Sequence, residues 1–153
     1  MQQVERGQLW VMRLHALIAS LSLLVPASVA TFALADRTTL PVWLVPVALL
    51  LAASYFVIVA PARHYRTLLY ALDAEELHIA RGIWTRVETL VPLVRVQHID
   101  VSQGPVERLF RVSRLVLHTA GTLNSEVVLP GLSRATAEAM RDEVRARIKQ
   151  AEG

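Results

Sequence analysis

The 153-residue chain contains no cysteine. That absence excludes disulfide frameworks, thiol catalysis, iron–sulfur clusters and Cys-type zinc sites, and it leaves the redox compartment unreadable. Aromatic residues make up only 6% and charged residues 19%. So low a charge, beside abundant apolar residues, excludes a disordered tail and a highly charged coiled coil. The net charge of +3, from 16 basic and 13 acidic residues, is too small an excess to indicate nucleic-acid binding by itself. Glycines are few and scattered. Gly82, Gly104, Gly121 and Gly131 stand alone and read as turn residues, so no phosphate-cradling loop is present. Neither G-x-S-x-G nor H-E-x-x-H occurs. The expectation is a protein that is not an enzyme and carries no cofactor.

What is abundant is apolar. Hydrophobic residues reach 54%, and mean hydropathy is +0.41. Their distribution is uneven. From Leu14 to Ala62 the only formal charges are the adjacent Asp36 and Arg37. They divide the stretch into runs over residues 14–35 and 41–60, about 33 and about 30 Å long as helices. Each matches the hydrocarbon thickness of a bilayer. Backbone in lipid must satisfy its own hydrogen bonds, so helix is the expected form. Pro26 and Pro46 lie inside the runs, where a membrane span tolerates a kink. Ala33-Leu34-Ala35 resembles a signal-peptidase site behind a basic segment with Arg6 and Arg13. The apolar region is long for a signal peptide, however, and a second span follows at once. The expected organisation is an N-terminal segment over 1–13, a transmembrane hairpin over 14–62 and a water-soluble domain over 63–153.

Arginines set the orientation. Arg6 and Arg13 precede the first span, Arg63 and Arg66 follow the second, and the loop between pairs one Arg with one Asp. The positive-inside rule places both termini in the cytoplasm of a multi-pass cell-membrane protein. Trp10, Trp43 and Tyr65 sit near span ends, where amphipathic rings prefer the headgroup layer. His15 and His64 flank the spans and read as interfacial.

The remainder reads as strands and then one helix. Runs rich in Val, Leu, Ile and Thr recur between turn signals: 67–72, 77–81, 84–90, 94–101, 115–119 and 126–129. Such spacing indicates an antiparallel sandwich or small barrel. Alternation slips after Val96, which predicts a bulge near Gln97-His98. From Ser133, a good N-cap, the period changes. Ala137, Met140, Val144 and Ile148 form one apolar stripe on a helix over 133–150, with Glu143–Arg147 and Glu138–Arg141 as expected pairs. Its expected role is to cover one open end of the sheet core.

Several segments then carry a resemblance. They are Val91-Pro92-Leu93, Arg95-Val96-Gln97-His98-Ile99, Gln103-Gly104-Pro105, Leu115-Val116-Leu117-His118-Thr119-Ala120-Gly121 and Leu129-Pro130-Gly131-Leu132. In that order, behind a membrane hairpin, they resemble the bacterial pleckstrin-homology-like domain of YdbS-like membrane proteins. The resemblance implies an α+β fold: a two-helix transmembrane hairpin, then a PH-like antiparallel split barrel of about seven strands capped by a C-terminal helix. It implies no catalytic residues, and it suggests a companion membrane protein with further copies of the domain. Arg111 departs from the family's glycine; if that glycine has positive φ, Arg111 takes a costlier conformation or the turn differs.

Candidate sites are sparse. His98 and Asp100 are two apart on a strand and share a face if no bulge intervenes, with His118 as a further candidate of uncertain register. A zinc site needs a third ligand, and an acid–base pair needs a nucleophile. Arg108, Arg111 and Arg114 recur every third residue, and on a helical turn they share one side suited to a phosphate or an acidic partner. The competing reading is a solvated loop with Glu107 as partial neutraliser. Arg63 and Arg66 are candidates for lipid headgroups or plain topology anchors. Strand aromatics are sparse, and 13 basic against 11 acidic residues after Ala62 leave little for nucleic acid.

The expected function is a non-enzymatic membrane adaptor whose domain binds a protein partner or lipid headgroup beside the bilayer. The alternatives are an anionic-lipid module using the three arginines, or a subunit of an oligomeric transport complex, its hairpins packing through Ala52, Ala53 and Ser54. A homo-oligomer stays open. Topology is testable directly. A tag fused after Gly153 is protected from protease in intact spheroplasts and becomes cleavable on lysis; cleavage before lysis reverses the orientation.

Overall fold

The computed structural model describes residues 1–33, 41, 43–120 and 126–152. The expected loop Asp36 to Leu40, the last residues of the first run and the turn at Gly121 lie outside them. The chain forms two compact units, Met12–Arg63 by itself and Met1–Val11 together with His64–Gly153.

The first of these units is helical. Helix α1 spans Gly7–Ala33 and α2 spans Leu44–Ser54; a π turn at Tyr55–Val59 leads into α3, Ala60–Thr67. The two continuous helices, Gly7–Ala33 and Leu44–Thr67, are long and apolar enough to cross a bilayer, and their most apolar windows are 0% and 6% buried. Leucines and valines so exposed require an apolar solvent. Three hydroxyls within these helices are satisfied locally. Ser22 donates to Ala19 O, Thr31 to Ala27 O and Ser54 to Leu50 O, the partners a lipid-exposed hydroxyl needs. Pro26 lies inside α1, as expected. Pro46 does not kink a span. It occupies the first turn of α2, where its missing N–H costs nothing. The widened turn instead comes just before Pro61, which cannot donate to Val57 O and crowds it.

The other unit is two antiparallel sheets and a helix. One sheet has the order β1-β2-β3-β4, with β1 Gln2–Gln3, β2 Leu69–Leu72, β3 Glu76–Arg81 and β4 Val87–Pro92. The other has the order β5-β6-β7, with β5 Val96–Ser102, β6 Ser113–Thr119 and β7 Glu126–Leu132. A 3₁₀ turn at Leu93–Arg95 joins the sheets, and α4, Pro105–Leu109, joins β5 to β6. The expected bulge is present, as a register shift between Val96 and His98. Leu77, Leu115, Leu117 and Leu129 are fully buried between the layers. Helix α5, Arg134–Glu152, packs on β5, β6 and the 3₁₀ turn through Ala137, Met140 and Val144. Ser133 caps it, its Oγ accepting from Thr136 N at 3.0 Å. Glu143 pairs with Arg147 as expected. Glu138 does not pair with Arg141; it takes Arg134 four residues back, and Arg141 turns to Asp142.

The first eleven residues are the main departure. Read as a separate segment over 1–13, they instead belong to the folded unit. Gln2 and Gln3 pair with Tyr70 and Leu69. Glu5 N donates to Gly131 O on β7 at 2.7 Å, and the Tyr65 hydroxyl donates to Val4 O at 2.9 Å. Val4, Gln8 and Val11 are buried. Gly131, at φ +79°, makes this possible, because a Cβ there would lie 2.7 Å from Gln8 Cβ. Helix α1 accordingly starts at Gly7 instead of Leu14. A two-residue strand shows no periodicity, so its sequence carried no signal.

Tyr70 links this strand to β2, its hydroxyl 3.3 Å from Gln2 Oε1. Burial pushes the phenol above its ordinary value of 10.0, and the Glu5 carboxylate adds to the shift. The folded state therefore favours the neutral phenol. The resulting stability is intact below about pH 10 and is lost as pH rises through the raised folded value. Alkaline denaturation titrations are expected to show a smaller loss for Tyr70→Phe than for the unmodified chain above about pH 10.

Candidate functional site

The three arginines do not form one cluster. Arg108 lies in the last turn of α4 and Arg111 in the turn after it, both exposed. Arg114 lies on β6 and is committed to Glu107, its Nη2 and Nε donating to Oε1 at 2.7 and 2.9 Å. Glu107 is not a solvated neutraliser. Its side chain is 7% exposed, and Oε2 accepts from Gly104 N at 2.7 Å, closing the start of α4. A short polar helix is thus held by one buried carboxylate. Gln103 adds a second tie, donating to Val112 O at 2.8 Å. Arg111 is the non-glycine residue with positive φ among those described, at +57°. Of the two outcomes expected at Arg111, the costlier backbone conformation is the one the turn adopts.

Arg63 and Arg66 are exposed at the C-terminal end of α3, where positive charge suits the helix dipole. His64 is half-buried in the same turn. His15 lies on the apolar helix α1. The histidines of the second sheet do converge. His98 opposes His118 across the strand pair, and the Asp100 carboxylate lies between them, 3.0 Å from His98 Nε2 and 3.6 Å from His118 Nε2. All three are substantially exposed. Among the described residues no group of His, Cys, Asp or Glu has the geometry to hold a metal ion.

A groove stands beside them. Among the described residues β6 is the sole strand paired to β5, so the other edge of β5 is open. Along that edge runs a hollow of about 810 Å³ between β5 and the last turns of α5. Val94, Val96, Ile99 and Ile148 supply its apolar lining; Arg95, Arg145 and Lys149 stand against Asp142 in charge. Val94 is 75% exposed. A smaller hollow of about 290 Å³ extends it past Leu93 to the β2–β3 turn. Among the described residues β4, the last strand of the first sheet, is likewise paired on one side only, by β3. β2 carries β1, and β7 receives Glu5 N. The sequence does not mark this groove, because its lining comes from three elements far apart in the chain.

Residues 14–148 match the family model of the bacterial PH domain. The chain belongs to that family. It is a membrane protein with a PH-like domain, and two transmembrane proteins of Bacillus subtilis (strain 168) are similar to it. UPF0699 transmembrane protein YdbS is 32% identical over 95 residues, 62% of this chain and 58% of that protein. UPF0699 transmembrane protein YdbT is 27% identical over 81 residues, 52% of this chain and 16% of that protein. The matched region thus spans less than two thirds of either relative. No solved structure matches the PH-like chain.

Two substitutions separate the structural arginine from the surface ones. Arg114→Ala strands the buried Glu107 carboxylate and is expected to cost roughly 3 kcal/mol, against under about 0.5 kcal/mol for Arg108→Ala. Arg111→Gly relieves the left-handed backbone and is expected to gain up to about 1 kcal/mol after glycine's own entropy cost. Denaturant titration of the detergent-solubilised chain reads all three.

Proposed function

We propose that the chain is a non-enzymatic membrane adaptor whose PH-like domain docks an extended, net-acidic segment of a companion membrane protein at the inner membrane surface. The open edge of β5 carries this reading. An edge strand offers a row of backbone donors and acceptors, and an added strand satisfies them. The adjoining groove supplies apolar pockets for alternate side chains, and Arg95, Arg145 and Lys149 outnumber Asp142, which favours acidic side chains. A companion of the YdbT kind suits the reading, because the matched region is only 16% of that protein and leaves room for further domains.

The proposed topology has both termini in the cytoplasm. Its support is twofold. Arg6, Arg13, Arg63 and Arg66 flank the spans while the intervening loop is neutral overall. In addition, the strand before α1 and the strand after α3 pair with each other, so the hairpin leaves and returns on one side. The arginine-based lipid module is the weaker reading, since Arg114 is engaged by Glu107.

A photo-crosslinking residue placed at Val94 in the full chain, co-expressed with a candidate companion, is expected to form a covalent adduct that Arg145→Glu with Lys149→Glu abolishes. The same residue at Ala135, on the exposed side of α5, forms none. Equal adducts at both positions, or an adduct indifferent to charge reversal, overturns the groove as the docking site.

A further inference from the structure

The end of the domain from which both membrane helices depart is not clothed like a surface meant for water. Strand register defines that end. Gln3 pairs with Leu69, Leu69 with Ala80, and Arg81 with Val87. The strand entering α1, the strand leaving α3 and the tip of the β3–β4 hairpin therefore lie together. At the tip, Trp84 is 93% exposed and Ile83 40%, with Arg81 and Arg86 on either side. Gly82 fixes the turn at φ +117°; a Cβ there would meet Thr85 O at 2.0 Å. The hairpin thus holds its two large apolar side chains outward.

A second loop reaches the same end. Gly7, the first residue of α1, approaches the turn after α4 so closely that a Cβ would lie 2.4 Å from Phe110 O. Beside it Leu109 is 70% exposed, between the exposed Arg108 and Arg111. The strained backbone of Arg111, at φ +57°, belongs to this turn. Two loops from different sheets thus combine an apolar tip with flanking arginines, at the end where the polypeptide runs into lipid-soluble helices. A tryptophan bordered by cations is the composition that settles at the headgroup boundary.

We propose that this end of the domain is a second membrane contact: Ile83, Trp84 and Leu109 enter the headgroup layer, and Arg81, Arg108 and Arg111 meet lipid phosphates. Arg86 contributes little charge, because Glu88 pairs with it at 2.8 Å. The contact holds the domain in one orientation on the bilayer that its own helices occupy. Burial of apolar side chains drives it, so it persists at high salt, unlike a contact made by arginines alone.

The chain has no native cysteine, so single labels are unambiguous. The full chain is reconstituted in nanodiscs of mixed zwitterionic and anionic phospholipid, with an environment-sensitive fluorophore on Ile83→Cys, Leu109→Cys or Ala135→Cys. The expected result is blue-shifted emission at 83 and 109, quenched by headgroup spin-labelled lipid and retained in high salt, with water-like emission at 135. An unchanged signal at 135 in the Trp84→Glu background, alongside a lost blue shift at 83, separates loss of contact from loss of fold. Water-like emission at either 83 or 109 in the native background overturns the proposal.

Discussion

The hydrogen bonds of residues 2–5 hold the rest of this structure in place. Gln2 and Gln3 add a strand to one sheet, and two residues later Glu5 donates to the other. One short segment therefore ties both sheets at the side where they are not joined by the chain itself. The side chains follow the backbone. Val4 and Val11 are buried, and Gln8 lies against Gly131, whose missing Cβ leaves the space. Because the same segment leads straight into α1, the domain over His64–Gly153 is completed only by residues that precede the hairpin. Folding of the domain therefore requires the segment before α1 as well as the residues after α3.

With that side closed, the opposite one is left open, between β4 and β5. The 3₁₀ turn at Leu93–Arg95 links the two strands without pairing them, and α5 stands beside the gap without filling it. This is the split of a split barrel. An unpaired strand, a hollow and a cationic rim occur together there because one topological break produces all three. The cost of an exposed edge is a standing liability to unwanted pairing.

The far ends of the sheets show another balance. Glu107 is buried and its charge is held by Arg114 and by Gly104 N, an arrangement that must be complete to be stable. The turn that follows α4 carries a positive φ at Arg111. An arginine with that φ keeps a cation on the exposed turn at some cost in backbone energy.

The sequence by itself determined the two apolar helices, the succession of strand-forming runs after them, the bulge after Val96 and the capped C-terminal helix. These rest on local signals, namely length, periodicity and punctuation, which survive without knowledge of neighbours. It also marked Arg111 as a departure. Only the tertiary structure decided the rest. That Arg114 belongs to Glu107, that His98 and His118 share Asp100, that Pro46 starts a helix instead of bending one, and that residues 2 and 3 form a strand are all matters of which distant groups meet. Register across strands and the closing of a barrel are long-range geometry, and no window of the chain contains both partners.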